Sequence, residues 1–312
     1  MASFPFSLLV LACLTGLLGL RFGLEFGLPA LGVAALDAPS EISATMAVPP
    51  KPGGLAPAGA AGNGEGDAAL TPSVCEAMSP KLQDTCWQAL ARQTAAADPE
   101  EALRVCVRLT TPELEVECQS DVGEAVAPTN RGLAEDICKG IPMVKWRGQC
   151  HFGIGLALAE TDPEYAIARC QDAEAFRTFC RHDVVGEMAM VNLPAAVAIC
   201  AREEGDTLTR KTCWHGAGKY LARRDMTEAA SACAQATPSW QAQCFHGVGW
   251  GGAERDVDQA LASCAAFGDY ADNCRHGVAN QLKRGDPTRQ LAICESLQNT
   301  EARTKCLAFV TQ

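Results

Sequence analysis

The sequence predicts an all-α protein, a right-handed solenoid of about seven two-helix repeats stapled by disulfides, behind an N-terminal apolar segment and a disordered linker. The first observation is the cysteine spacing. From Cys75 onward every second interval between cysteines is 20 residues, which gives a repeat of about 31 residues, and two-helix solenoid units have periods of this size. The second is an Asp or Asn at one fixed position of the repeat. The third is the helical spacing of the apolar residues, with no competing strand pattern.

The recurring Asp or Asn marks the start of the second helix in each unit. It stands twelve residues after the first cysteine of the unit, and its side-chain oxygen can accept a hydrogen bond from a first-turn amide. Proline follows directly in three units, at the first helical position, where its missing N–H has no cost. The predicted helix starts are Asp98, Asn130, Asp162, Asn192, Asp225, Asp256 and Asp286.

The first helix of each unit is predicted to begin about seven residues before the first cysteine of that unit. Ser79-Pro80, Thr111-Pro112 and Thr237-Pro238 have the cap-plus-proline pattern of a helix start. Mostly apolar residues lie four residues before and four residues after these cysteines, so each cysteine belongs to the buried stripe of its helix. Loops of a few residues join the helices, which makes neighbouring helices antiparallel.

The cysteines favour an oxidising compartment, because sixteen of them occupy fixed repeat positions behind an export-like N-terminus. Pairing across the 20-residue intervals would leave Cys75 and Cys306 alone. Pairing across the short intervals uses all sixteen and crosses a single turn, which can bring the two Cα atoms within disulfide range. The favoured pairs are Cys75–Cys86, Cys106–Cys118, Cys138–Cys150, Cys170–Cys180, Cys200–Cys213, Cys233–Cys244, Cys264–Cys274 and Cys294–Cys306.

Residues 1–36 are predicted to be a signal peptide or a membrane anchor. From Phe4 to Leu20 the chain is uncharged and mostly apolar, a length at the lower edge for crossing a bilayer. A cleaved signal is the second interpretation, although the usual basic start is missing. Lipidation of Cys13 is the third, and most of these interpretations place the remainder of the chain outside the cytoplasm.

Two further segments follow the apolar one. Residues 37–72 contain little besides Ala, Pro, Gly and small polar residues, and such a stretch cannot bury enough apolar surface to order itself. It is therefore predicted to be a disordered linker. Residues 73–312 form the disulfide-stapled repeat domain, which is expected to be periplasmic or secreted.

The units resemble those of the secreted cysteine-rich Sel1-like proteins, a branch of the tetratricopeptide-like helical repeats. The resemblance covers residues 75–312, although the unit is shorter, the cysteine spacing is wider and the Gly-x-Gly-Val turn is missing. It implies a protein- or peptide-binding scaffold with no catalytic residues to carry over. The Asp-x-x-x-Ala element that carries it occurs at Asp98/Ala102, Asp162/Ala166, Asp225/Ala229 and Asp256/Ala260.

The histidines suggest a metal-binding alternative. All five lie one or two residues after the first cysteine of a unit, and thiolate with imidazole suits zinc or copper. Residues two apart on a helix point in nearly opposite directions, however, so a Cys-x-His pair cannot clamp one ion. The alternatives are a boundary residue that bonds the adjacent unit, a ligand-facing ladder and a metal site. The candidate ligand-facing histidines are His182, His215, His246 and His276.

Catalytic motifs are scarce, and we expect no enzyme and no cofactor. The chain contains no Gly-x-Ser-x-Gly, Walker loop or His-Glu-x-x-His. A net charge of −11 supplies no electrostatic reason to bind nucleic acid. The expected function is an extracytoplasmic scaffold that recruits a protein or peptide along the surface of the first helices, with membrane contact through residues 1–36. Metal storage or delivery by reduced cysteines is the alternative. Trp87, Trp214 and Phe245 are further candidate ligand contacts, or they pack against the next unit.

Overall fold

A computed structural model of the protein describes residues 70–202, 207–283 and 285–310. Over these ranges the chain is helical, without a strand, and eight disulfides recur about every 30 residues. The prediction of an all-α repeat protein stapled by disulfides is therefore confirmed. The predictions made for residues 1–69, a signal or anchor followed by a linker, concern the part of the chain outside this description.

Sixteen α-helices lie within the described ranges, and even-numbered helices are the first helices of the units. Each first helix contacts the next first helix along the chain, and the second helices pack between them. The bounds are α1 Pro72–Ala77, α2 Pro80–Ala95, α3 Pro99–Cys106, α4 Pro112–Val126, α5 Arg131–Gly140, α6 Val144–Leu158, α7 Pro163–Arg169, α8 Arg177–Val191, α9 Leu193–Arg202, α10 Thr207–Arg224, α11 Met226–Cys233, α12 Pro238–Ala253, α13 Val257–Cys264, α14 Ala271–Leu282, α15 Pro287–Ser296 and α16 Thr300–Val310.

The second helices begin where the recurring Asp or Asn predicts. At all seven positions the side-chain oxygen accepts a hydrogen bond from a backbone amide two or three residues later, at distances of 2.7 to 3.2 Å. Each cap satisfies an amide that would otherwise lack a partner in the first turn of its helix. The small residue four positions later is buried in six units, which allows close packing on the first helices; these residues are Ala102, Ala134, Ala166, Ala196, Ala229 and Ala260.

Two first helices begin differently from the prediction. Short 3₁₀ turns, Glu174–Phe176 and Gly268–Tyr270, precede α8 and α14. Both turns occur where the two bridged cysteines are only 10 residues apart, instead of 11 to 13. Their first residues have positive φ values, 51° at Glu174 and 53° at Gly268. A shorter connection thus turns more tightly before the helix starts.

Eight disulfides join the end of a second helix, or α1, to the following first helix. The Cα atoms of each pair are 5.3 to 5.6 Å apart, and all sixteen cysteines are buried. The pairs are those of the short intervals. Structural disulfides persist in oxidising compartments, so the bridges indicate an extracytoplasmic environment for the repeat domain. Among the described helices none is long and apolar enough to cross a membrane.

Candidate functional site

Three histidines from three successive first helices form a hydrogen-bonded row, which we call the histidine ladder: His182 on α8, His215 on α10 and His246 on α12. His182 Nε2 lies 2.8 Å from His215 Nδ1, and His215 Nε2 lies 2.9 Å from His246 Nδ1. Adjacent rings have centroids 5.0 Å apart. The ladder therefore links three repeat units by hydrogen bonds between side chains.

Glycine residues bring the first helices close enough for these rings to meet. A Cβ atom on Gly216 would lie 2.1 Å from the His182 carbonyl oxygen, and one on Gly247 would lie 2.2 Å from that of His215. No side chain fits at such a distance, because the obstacle is backbone. His215 and His246 are each followed directly by one of these glycines. Each ladder histidine of this kind thus stands beside a residue that allows the neighbouring first helix to come close enough for the rings to bond.

The ladder has a defined direction of hydrogen bonding. At one end the Asn280 amide donates to His246 Nε2 over 3.0 Å, so His246 carries its proton on Nδ1 and donates to His215. The same alternation makes His215 donate to His182, and His182 donates from Nδ1 to the Asp183 carboxylate over 2.5 Å. Neutral imidazole has one donor and one acceptor. Three neutral rings thus satisfy each other between an amide donor and an anionic acceptor.

Asp183 ends the ladder as a carboxylate. Burial raises its pKa, but hydrogen bonds from His182 and Tyr220 and nearby positive charge outweigh that effect, so the pKa lies below its ordinary value. The Tyr220 ring packs directly over Gly186, where an added Cβ would lie 2.3 Å from it. Burial, together with the charge of Asp183, raises the pKa of the Tyr220 hydroxyl, so that Tyr220 remains a donor.

The inner rings of the ladder are held neutral. Burial lowers the pKa of His215 and of His246 well below 6.5, and the neighbouring histidines lower it further. Trp250 packs edge-on against both rings, with centroid distances of 5.9 and 6.1 Å. An apolar neighbour of this kind disfavours a charged imidazolium. The two inner rings, His215 and His246, are therefore neutral near pH 7.

His276 lies beyond the ladder and is not hydrogen-bonded into it. Its ring meets His246 edge-on, with centroids 4.6 Å apart, because Asn280 occupies the His246 Nε2 atom. His276 is only 9% exposed, and within the described ranges its imidazole makes no hydrogen bond to protein. Burial, and then the charges of Lys305 and Lys211, lower its pKa to about 4.

A cleft of about 570 Å³ opens beside His276 on the surface of the first helices. Its walls come from α10, α12, the 3₁₀ turn before α14, α14 and α16, with one segment before α16. The lining is mostly polar and includes both cations and acids. It consists of Lys211, His215, Ala242, Gln243, His246, Asp269, Tyr270, Asn273, His276, Asn280, Asn299, Glu301, Ala302, Lys305 and Phe309.

The candidate aromatic contacts do not line this cleft. Trp87, Trp214 and Phe245 are all buried, at 5%, 2% and 7% exposure. Phe245 stacks on Tyr270 of the next unit, with centroids 4.9 Å apart, and the Arg108 guanidinium lies over the Trp87 ring. These side chains pack in the core, between units, and offer no surface to a ligand.

The cysteines and histidines do not come together as a metal site. All sixteen described cysteines are in disulfides, and in the portion of the chain that the structure describes no three His, Cys, Asp or Glu side chains are grouped to hold an ion. His151 is apart from the ladder. It follows its cysteine by one residue instead of two, so it lies on another side of its helix, buried with Nδ1 unpartnered.

Sequence reasoning identified the ladder histidines but missed their neighbours in the site. Asp183 and Asn280 end the ladder, and Lys211 and Lys305 lie over the cleft, yet none belongs to a repeated pattern. The adjacent Gly216, Gly247 and Gly277 were the available signal, since small residues mark close helix approach. Comparison of the chain with known family models, curated proteins and solved structures finds no match.

Proposed function

We propose that this protein is an extracytoplasmic scaffold that binds a protein or peptide along the surface of its first helices, and that the cleft beside His276 is the centre of that site. The observation that carries the proposal is the cleft itself. It is assembled from the first helices of four successive units, so only the stacked repeat creates it. Binding surfaces of stacked repeats are built in this way.

The composition of the lining supports a ligand with polar groups. Half-buried amides from Gln243 and Asn273 face the cleft beside imidazole and ammonium groups, while Tyr270 and Phe309 add aromatic surface. A few placed polar groups with aromatic contacts are typical of sites that recognise a peptide or small ligand. The volume of about 570 Å³ accommodates two or three side chains.

The cellular setting completes the proposal. The disulfide-stapled domain would function in the periplasm or outside the cell, held by residues 1–36 if these act as an anchor, or released if they are cleaved. The linker of residues 37–72 would let the domain reach its partner away from the membrane surface. The resemblance to Sel1-like repeats supports the same class of function. Metal storage has less support, because the described cysteines are bridged.

Selection of binding peptides tests the proposal. The oxidised full chain is immobilised, displayed peptides are selected on it, and each selected peptide is measured against Ala242→Trp. Ala242 is half-buried on the cleft wall, so an indole there should fill the cleft and weaken binding at least tenfold. The matched control is Ala262→Trp on α13, an exposed position outside the lining.

Two results would count against the proposal. One is a selection that enriches no peptide on the oxidised protein. The other is a set of peptides that bind Ala242→Trp and the parent protein equally well, since that would place the binding surface elsewhere. Equal losses in both tryptophan variants would have the same meaning, because only one of them occupies the cleft.

A further inference from the structure

His276 is a buried polar group without a protein partner. Its ring is 9% exposed and lines the cleft, and no hydrogen bond holds it among the described residues. The other three histidines of the row are bonded on both ring nitrogens. Neither ring nitrogen is among the fully enclosed, unpartnered side-chain atoms of the described residues, so both are accessible from the cleft. The ring is therefore placed to bond a ligand atom that enters the cleft.

The charges that act on this ring are positive. Lys305 and Lys211, from helices at opposite ends of the cleft, both lower the pKa of His276 and of His246. Burial and the charge of Lys305 also lower the pKa of Lys211, so the two ammonium groups that line the cleft repel each other. Repulsion between two ammonium groups in one cleft raises the free energy of the protein, and a bound anion would offset that repulsion.

Two acids also line the cleft and limit this positive charge. Glu301 pairs with Lys305 at 2.5 Å, one turn away on α16. Asp269 lies exposed in the 3₁₀ turn before α14. Neither acid contributes to the pKa of His276. The charges that shift the pKa of His276 are thus those of the two lysines.

We propose that the cleft binds the anionic group of a ligand, a carboxylate or a phosphate, between Lys211, Lys305 and His276. The His276 imidazole supplies a hydrogen bond, and the lysines supply charge. The half-buried Asn273 also lines the cleft and adds an amide donor. This inference rests on the proposed function, because the anionic group would be part of the peptide or protein that the scaffold binds. Charge-assisted hydrogen bonds are the stronger ones available to such a site.

Titration of the oxidised full chain with acetate and with inorganic phosphate tests the anion site directly. Binding is followed through the ring signals of His276 by NMR, at constant ionic strength with chloride as the balancing anion. We expect saturable shifts of His276 and a rise of its pKa from about 4 toward its ordinary value, because the anion stabilises the imidazolium. Saturation by acetate would identify a carboxylate ligand, and saturation by phosphate alone would identify a phosphorylated one.

Substitutions locate the site. Lys211→Ala and Lys305→Ala should each weaken anion binding about tenfold, and His276→Gln should weaken it about fivefold. Lys139→Ala is the matched control, because Lys139 is equally exposed and pairs with Glu135 four residues away, as Lys305 pairs with Glu301. It should leave binding within twofold of the parent. Both lysines are exposed, so their removal tests the site even if His276→Gln does not fold.

The outcomes separate this inference from the proposed function. An absence of saturable binding by either anion, or binding that the two lysine substitutions leave unchanged, overturns the anion site. Peptides that still bind in the cleft in that case leave the scaffold function intact. Glu301→Gln should tighten anion binding about twofold to threefold by releasing Lys305, and a loss of binding in this variant would instead make Glu301 the contact and overturn the proposal.

Discussion

The Nε2 atom of His182 lies 2.8 Å from the Nδ1 atom of His215, although 33 residues separate the two histidines. This contact joins two repeat units that also meet through close backbone approach and through the hydrogen bond from Tyr220 to Asp183. The same relationship repeats between His215 and His246 at 2.9 Å. The repeat thus places a polar link at equivalent positions of three first helices, and burial keeps the two inner rings neutral.

Replacing the central histidine should destabilise the fold. His215→Ala leaves His182 Nε2 and His246 Nδ1 without their partners, and each partly buried group then loses a hydrogen bond. We expect the free energy of unfolding to fall by about 1–3 kcal/mol, measured by denaturant unfolding of the oxidised protein. A double-mutant cycle of His182→Ala and His215→Ala should show coupling above about 0.5 kcal/mol. Additive effects would mean that the hydrogen bond contributes nothing.

Acid should weaken the protein through the inner ladder histidines. Burial lowers the pKa of His215 and of His246 well below 6.5, so below that pH the unfolded chain binds more protons than the folded one. The stability that these rings contribute is complete above pH 6.5 and is lost as the pH falls toward their folded pKa. Urea unfolding between pH 7.5 and pH 5 should show this decline.

Titration of Asp121 changes the unfolding free energy with pH in the opposite direction. Asp121 should therefore be replaced when the contribution of the histidines is measured. Burial raises its pKa to about 6, although Arg92 opposes the rise. Between pH 6 and 3.8 the folded state therefore holds this proton more tightly, which adds stability as the pH falls. In Asp121→Asn the decline from pH 7.5 to pH 5 should be steeper than in the parent. A pH-independent unfolding free energy in that variant would contradict the neutral ladder.

A single methyl group on Gly247 should separate two first helices. The added Cβ of Gly247→Ala would lie 2.2 Å from the His215 carbonyl oxygen and 3.0 Å from the Lys219 amide nitrogen. Both obstacles are backbone, so α10 and α12 must move apart. We expect a loss of about 2–3 kcal/mol in unfolding free energy and altered NMR signals of the ladder histidines.

Gly140 provides the matched control for this substitution. It is also a helical glycine, but an added Cβ would have nothing within 4 Å. Gly140→Ala should therefore leave stability unchanged or raise it by up to about 1 kcal/mol, since alanine reduces the freedom of the unfolded chain. If both alanine variants lose the same stability, close helix approach is not the cause.

Thiol counting should find the cysteines bridged. The exported protein should show no more than one reactive thiol before reduction, that of Cys13, and digestion should release the peptides joined by Cys170 and Cys180. Removal of one bridge by Cys233→Ala with Cys244→Ala should lower the free energy of unfolding by about 3 kcal/mol, the value of the chain-entropy model for a loop of this size. Free thiols together with stoichiometric zinc or copper would favour the metal-storage alternative instead.

Limited proteolysis tests the boundary of the folded domain. Protease should cut first between Asp37 and Thr71, because the repeats begin with the helix at Pro72. A chain that lacks residues 1–69 should keep the Thr71 cap of α1 and unfold in one cooperative transition. First cuts within residues 75–310 would show that the folded unit has other limits.

The helix starts and the repeat could be predicted from the sequence because they depend on local interactions. An Asp or Asn bonds an amide two or three residues later, so its effect requires no partner from elsewhere in the chain. The cysteine spacing behaves similarly, since each short interval spans a single turn between helices. The tighter starts of α8 and α14 were missed because nothing in the apolar pattern distinguishes a 3₁₀ turn from a first helical turn.

The ladder and the cleft were decided by tertiary structure. The sequence places His182, His215 and His246 at equivalent positions, but whether such rings bond each other, face a ligand or hold a metal depends on the distance between neighbouring helices. Backbone packing at Gly216 and Gly247 sets that distance. Lys211 and Lys305 share a cleft only because α10 and α16 converge on it. Periodicity encodes the stacking of units, whereas nonrepeated side chains meet only after the stacking has brought their helices together.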